Sequence, residues 1–211
     1  MSLAKARDAL LVMVGLLVLL WTVQAVNWAD SYRLNTLGIQ SHKFAHLAGI
    51  FAAPFLHVSW QHIESNTVPL FVLGFLAAYR DVIKFLRVTL IVVIASGLVV
   101  WLFQSGDSVT VGASGLVFGY FGYVLARGLF DWNWTDIVVG AAAGLMYSYM
   151  LAVAIPGRPG ISWLDHTGGL AGGVLAGWLL RVRRPVGSSH DQAYGGIPVE
   201  SRHHAGTKAA S

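Results

Sequence analysis

Val111-Gly112-Ala113-Ser114-Gly115-Leu116-Val117-Phe118-Gly119 opens an apolar run with the length of a membrane-spanning helix. A serine there has small residues on both sides. Gly112 and Gly115 remove side-chain bulk around its hydroxyl, so another helix or a substrate backbone can come close. Small residues and serine are also common where membrane helices simply pack. The choice between packing and chemistry therefore depends on whether Ser114 meets a base.

The rest of the chain sets the surroundings. Of 211 residues, 55% are hydrophobic and 11% charged, about half the charge of a soluble domain. The apolar residues come in long blocks, which indicates an integral membrane protein. The absence of cysteine excludes disulfides and thiolate chemistry. The net charge of +4 is not a nucleic-acid footprint, because the basic residues fall between apolar blocks. The first block has no small-residue cleavage site and is followed by further blocks, so it is expected to stay as a helix.

A span needs about 20 mostly apolar residues. Six segments are expected, at about 9–26, 62–79, 85–103, 113–130, 136–155 and 163–180, forming a membrane domain over 1–184. With the N-terminus inside, 11 of the 14 basic residues fall on the inner side, and only Arg33, Lys43 and Arg158 lie outside. This is a positive-inside bias and places both termini in the cytoplasm. The outer loop 27–61 contains Phe51-Ala52-Ala53-Pro54-Phe55-Leu56, too short to span and expected to be interfacial or re-entrant. The polar tail 185–211, including His203 and His204, is expected to be disordered.

This orientation starts the second, fourth and sixth segments at the outer face, so their first turns share one depth. These turns carry His62 and Asn66, Ser114, and His166. Intramembrane ionisable residues are costly and point to function. His166 is the candidate base. Gly169 and Gly173 repeat at a spacing of four on its helix, and Gly115 and Gly119 do so on the serine's helix. Such stripes let backbones approach closely, as a Ser–His hydrogen bond of about 2.6–3.2 Å requires. Asp165 points about 100° away from His166, so a Ser–His dyad is expected, with Asp165 as a cap or interfacial group. His62 and Asn66 share a face at i, i+4. With the Ser114 amide they can hold a developing oxyanion, and Gly112 belongs to the same wall. His57 can support that site from the loop end. A metal site of His57, His62 and His166 is the alternative, but it lacks a carboxylate base and leaves Ser114 unexplained. No metal or cofactor is expected.

Three motifs resemble one family. His57-Val58-Ser59-Trp60-Gln61-His62-Ile63-Glu64-Ser65-Asn66 resembles the H-x4-H-x3-N segment of rhomboid intramembrane serine proteases. Gly112-Ala113-Ser114-Gly115 resembles their G-x-S-G, and His166-Thr167-Gly168-Gly169 with Gly173 resembles their H-x-x-G-x-x-x-G. The resemblance covers roughly His57 to Trp178 and implies the minimal six-helix type. It implies Ser114 as nucleophile, His166 as base and then acid, and Asn66, His62 and the Ser114 amide around the oxyanion. It also implies transmembrane protein substrates in a lipid bilayer, cleaved near the outer face, with the loop 156–162 and the fifth helix as cap and gate. Many members carry Tyr four residues after the nucleophile, packed on the histidine; Phe118 keeps that stacking here. The Trp-Arg pair common in their first outer loop is absent around Gly38-Ile39-Gln40-Ser41-His42-Lys43-Phe44. An inactive rhomboid-like binder of membrane helices and a small transporter with a histidine relay are the other classes considered.

Overall fold

The computed structural model describes residues 2–153, 155–156 and 162–182. Most of the expected cap, 157–161, and the expected disordered tail 185–211 lie outside the described residues. The chain runs through helices α1 (Leu3–Ala29), α2 (Gly49–Ala52), α3 (Trp60–Ala78), α4 (Val82–Phe103), α5 (Ser114–Asp131), α6 (Trp134–Met146), α7 (Tyr149–Val153) and α8 (Trp163–Leu179). One short antiparallel pair, β1 (Ile39–Gln40) with β2 (Val109–Thr110), interrupts an otherwise all-α fold.

Several helix starts follow from local chemistry. The oxygens of Ser59, Asp81, Asn133 and Ser162 accept the amides of His62, Lys84, Asp136 and Asp165, at 3.1, 2.9, 3.2 and 3.3 Å. Each satisfies a donor that its helix leaves without an internal partner.

Central α5 is buried along most of its length, with α8, α6, α3 and α4 around it. Bare backbone makes this possible. A Cβ on Gly169 would strike the Gly115 carbonyl, and one on Gly173 would strike the Gly119 carbonyl. On another face of α8, a Cβ on Gly168 would lie 2.9 Å from the Ser96 Cα, and one on Gly172 2.7 Å from the Ala95 Cβ. Helix α8 is thus wedged between α5 and α4 by two glycine pairs.

The outside of the bundle is apolar. Leu11, Val18, Val68, Leu86, Leu90, Leu145 and Leu179 are exposed, whereas Gln24, Asn27, His57, Asn66, Arg127 and Asp136 are buried. This inverted distribution suits a lipid solvent. Among the described residues, α1 and α4 are long and apolar enough to cross a membrane by themselves, each with a mean hydropathy of 2.4 over its best window. The helices bearing the polar and glycine-rich motifs are more polar or shorter, so the six-span count does not follow from length and hydropathy.

Two boundaries depart from expectation. Helix α1 begins at Leu3, not near residue 9, because its Lys-Ala-Arg turn continues the helix and Arg7 pairs sideways with Asp8 at 3.0 Å. The segment expected at 136–155 divides into α6 and α7 around Tyr147 and Ser148.

The loop between α1 and α3 is pinned to the end of α4. The Trp101 indole donates to the Lys43 carbonyl at 3.3 Å, and the His42 amide donates to the Trp101 carbonyl at 3.1 Å. Lys43 pairs with Asp107 at 3.2 Å. Within the loop, Ile50, Ala53 and Leu56 are buried, and a Cβ on Gly97 would collide with Ile50.

Candidate active site

A cavity of 1110 Å³ opens where the N-terminal ends of α3, α5 and α8 meet. His62, Asn66, Ser114, Phe118 and His166 all line it. His62 and His166, distant in the sequence, are thus brought to one cavity.

Ser114 is the first residue of α5, so its amide is one of the four that a helix leaves without an internal acceptor. The tight turn before it depends on Gly112, whose φ of +133° disfavours any side chain. A Cβ there would also lie 2.8 Å from the His62 ring. The Gly112 amide donates to the Ala53 carbonyl at 2.9 Å. Gly112 therefore contributes shape and space to the wall, and its own N–H is already engaged.

The next amide, Ala113, donates to His57 Nε2 at 3.3 Å. His57 lies in the loop before α3 and is fully buried. Burial, and secondarily the neighbouring His62, pushes its imidazole down to about 3. The neutral ring can accept at Nε2, as a protonated one cannot. His57 meets the His62 ring edge-to-face at 5.0 Å. Its carbonyl in turn accepts from the side-chain amides of Asn27 and Asn35, at 3.2 and 3.3 Å. His57 thus couples α1 and the loop that follows it to the turn that presents Ser114.

Asn66 is buried, and its Nδ2 has no hydrogen-bond partner among the described residues. Such a donor costs free energy unless something accepts from it. His62 likewise holds an unpartnered buried Nδ1. The Asn66 amide, a donor kept in this way, is suited to an oxyanion that forms only during a reaction.

His166 is buried at the start of α8 and stacks on Phe118, with ring centroids 4.1 Å apart and planes 10° from parallel. The ring of Phe118 therefore fixes the plane of the imidazole without needing a hydroxyl.

Asp165 departs from expectation. It neither caps α8 nor lies at the interface. Ser162 provides the cap, and the Asp165 carboxylate turns inward and accepts the Ser114 hydroxyl at 3.1 Å. Its 100° offset from His166 directs it against α5, over Gly115, whose hydrogen leaves room for the carboxylate. The sequence contained a signal for this, an acidic residue at the start of a glycine-rich helix facing another glycine helix, but the same pattern also describes a cap.

At the far end of the bundle a second polar group is buried. Arg127 on α5 meets Asp136 on α6 at 2.9 Å, and Arg80 meets the same Asp136 oxygen at 3.0 Å. Arg127 also donates to the Leu76 carbonyl at 3.0 Å and lies over the rings of Tyr79 and Tyr123. Arg127, counted in the sequence as an inner-side charge, is therefore a buried structural ion.

Comparison with known proteins agrees with the motifs. The family model of the rhomboid domain matches residues 44–183. Two uncharacterized proteins, from Mycobacterium tuberculosis and Mycobacterium bovis, are each 39% identical over 127 residues, covering 58% of this chain and 53% of the relative. Rhomboid-like protein 11, chloroplastic, of Arabidopsis thaliana is 33% identical over 99 residues, covering 46% of this chain and 35% of that protein. The chain spans about half the length of the mycobacterial relatives it matches.

Proposed function

The chain belongs to the rhomboid family, and on that premise we propose that it is an intramembrane serine endopeptidase using Ser114 and His166. The reading is supported above all by the shared cavity. A hydroxyl at a helix start and an imidazole held flat on Phe118 line it from two helices locked by bare backbone, together with the Asn66 side chain, whose amide nitrogen has no partner among the described residues.

The steps follow from those positions. A transmembrane segment of another protein enters laterally and unwinds locally, because helical amides are hydrogen-bonded and shielded. Gly or Ala near the scissile bond lowers that cost. The Ser114 Oγ attacks the carbonyl carbon while its proton passes to His166. The carbonyl oxygen, now negative, takes hydrogen bonds from the Ser114 amide, Asn66 Nδ2 and His62. His166 then protonates the leaving amine, and water, activated by the same imidazole, releases the acyl group from Ser114. The six segments span a cell membrane with the cavity open to the extracytoplasmic side, where water is available.

One observation favours a second reading, a rhomboid-like protein that holds membrane helices without cutting them. The Ser114 hydroxyl bonds to Asp165. Labelling of the detergent-purified protein with a fluorophosphonate separates the two. Wild type is expected to label, and Ser114→Ala and His166→Ala are not. Folded wild type that resists the probe, and leaves a membrane substrate intact in lipid, leaves the binder.

A further inference from the structure

Catalysis requires the Ser114 proton to pass to His166, but the Ser114 hydroxyl donates it to Asp165 in the structure. A hydroxyl has one proton and directs it at one acceptor in a given rotamer. The carboxylate and the imidazole therefore compete for it. The competitors also differ in place. His166 lines the cavity where a substrate would lie, and Asp165 does not. Asp165 is 6% exposed, with its carboxylate against Ser114 and Gly115 of α5. A Cβ on Gly115 would collide with its Oδ1 and lie 2.9 Å from Cγ and Oδ2. Ser96 on α4 lies beside it as well. The carboxylate is thus enclosed by α4, α5 and its own helix, and the His166 ring is held by Phe118. Of the three groups, the small Ser114 hydroxyl is the one free to turn.

We propose that Asp165 is a latch on the nucleophile, a positioning residue that holds the Ser114 proton in a hydrogen bond to its own carboxylate, and so off His166, until a substrate fills the cavity. The inference rests on the catalytic reading above. A charge-assisted bond made in the resting state and broken before attack stabilises the ground state alone, so it raises the barrier. Removing it should speed attack on any electrophile that fills the cavity. The carboxylate touches no bound group, so affinity should stay the same.

The test is the rate of fluorophosphonate labelling in detergent, resolved into affinity and maximal rate. In this reaction the Ser114 Oγ–P bond forms, the P–F bond breaks, fluoride leaves and the hydroxyl proton passes to His166. Asp165→Ala is expected to raise the maximal rate about tenfold, with the half-saturating probe concentration unchanged. Asp165→Asn, which keeps the volume but offers a neutral acceptor, should raise it about threefold. Thermal midpoints identify any variant that fails to fold; if alanine does, the asparagine rate decides alone. A maximal rate equal to or below wild type in the folded variants overturns the latch and leaves the protease standing. A silent wild type with a labelled Asp165→Ala supports it most strongly. Labelling of none of the folded proteins overturns the catalytic reading and the latch together.

Discussion

His57 has no place on the cavity wall, yet it determines how that wall is built. Its Nε2 holds the Ala113 amide one residue before Ser114, and only the neutral ring can do so. Burial, with His62 second, lowers its value from 6.5 to about 3. Between those values the unfolded chain takes up a proton that the folded protein refuses. Stability therefore rises with pH up to about 6.5, is level above it, and falls below it by up to about 1.4 kcal/mol per pH unit. The thermal midpoint of Ser114→Ala protein, chosen to prevent self-cleavage, should show that acid limb. Adding His57→Gln supplies Ala113 with an amide oxygen and no titrating group. It should remove one proton's slope, and an unchanged slope would show that His57 is not the source. The spacing of His57, His62 and Asn66 was legible as a motif. That the partner of His57 is the Ala113 backbone was not, because an amide N–H is common to nearly every residue and leaves no mark in a sequence.

Glycine marks the limit of legibility for the helices. The stripe of Gly169 and Gly173 could be read from spacing, and the structure sets both against α5 carbonyls. Gly168 and Gly172 face α4, and no pattern distinguished them, since a bare position looks the same whatever it packs on. The break between α6 and α7 was hidden for a similar reason, as Met146-Tyr147-Ser148 carries no glycine or proline. The packing grades the cost of a single methyl group. At Gly173 it would collide with the Gly119 carbonyl and lie 2.8 Å from the Tyr123 amide. Backbone cannot yield there, so Gly173→Ala should cost about 3 kcal/mol. At Gly177 it would sit 3.4 Å from Ala126 and Phe130, an ordinary contact, and cost almost nothing. At Gly15 it would meet nothing within 4 Å, and better helix propensity should add up to about 1 kcal/mol. Thermal midpoints in one detergent should rank them in that order. A tolerated Gly173→Ala would mean that α5 and α8 are further apart than described.

The two ends of the bundle differ in chemistry, and the proposed orientation of the whole molecule rests on that difference. At one end, the starts of α3, α5 and α8 enclose a cavity lined by serine, histidine and amide groups. At the other, Arg80, Lys84, Arg127, Asp131 and Asp136 form ion pairs, and Arg181 lies over Trp178. Arg127 and Asp136 are too buried to act as surface charges, and each needs the other to offset its desolvation. Arg80, Lys84 and Arg181 remain to follow the positive-inside rule, and the proposed orientation, with the charged end in the cytoplasm and the cavity outside, rests on them. The sequence contains no cysteine, so single-cysteine variants report without background. Ser105 lies on the rim of the cavity, and Trp132, 80% exposed, lies at the charged end. In intact cells a membrane-impermeant maleimide should modify Ser105→Cys, and should reach Trp132→Cys only after permeabilisation. The reverse pattern would turn the cavity towards the cytoplasm. Proteolysis would then draw its water, and release its products, on the inner side, and the basic residues would be held outside by their pairing with Asp131 and Asp136 in spite of the charge rule.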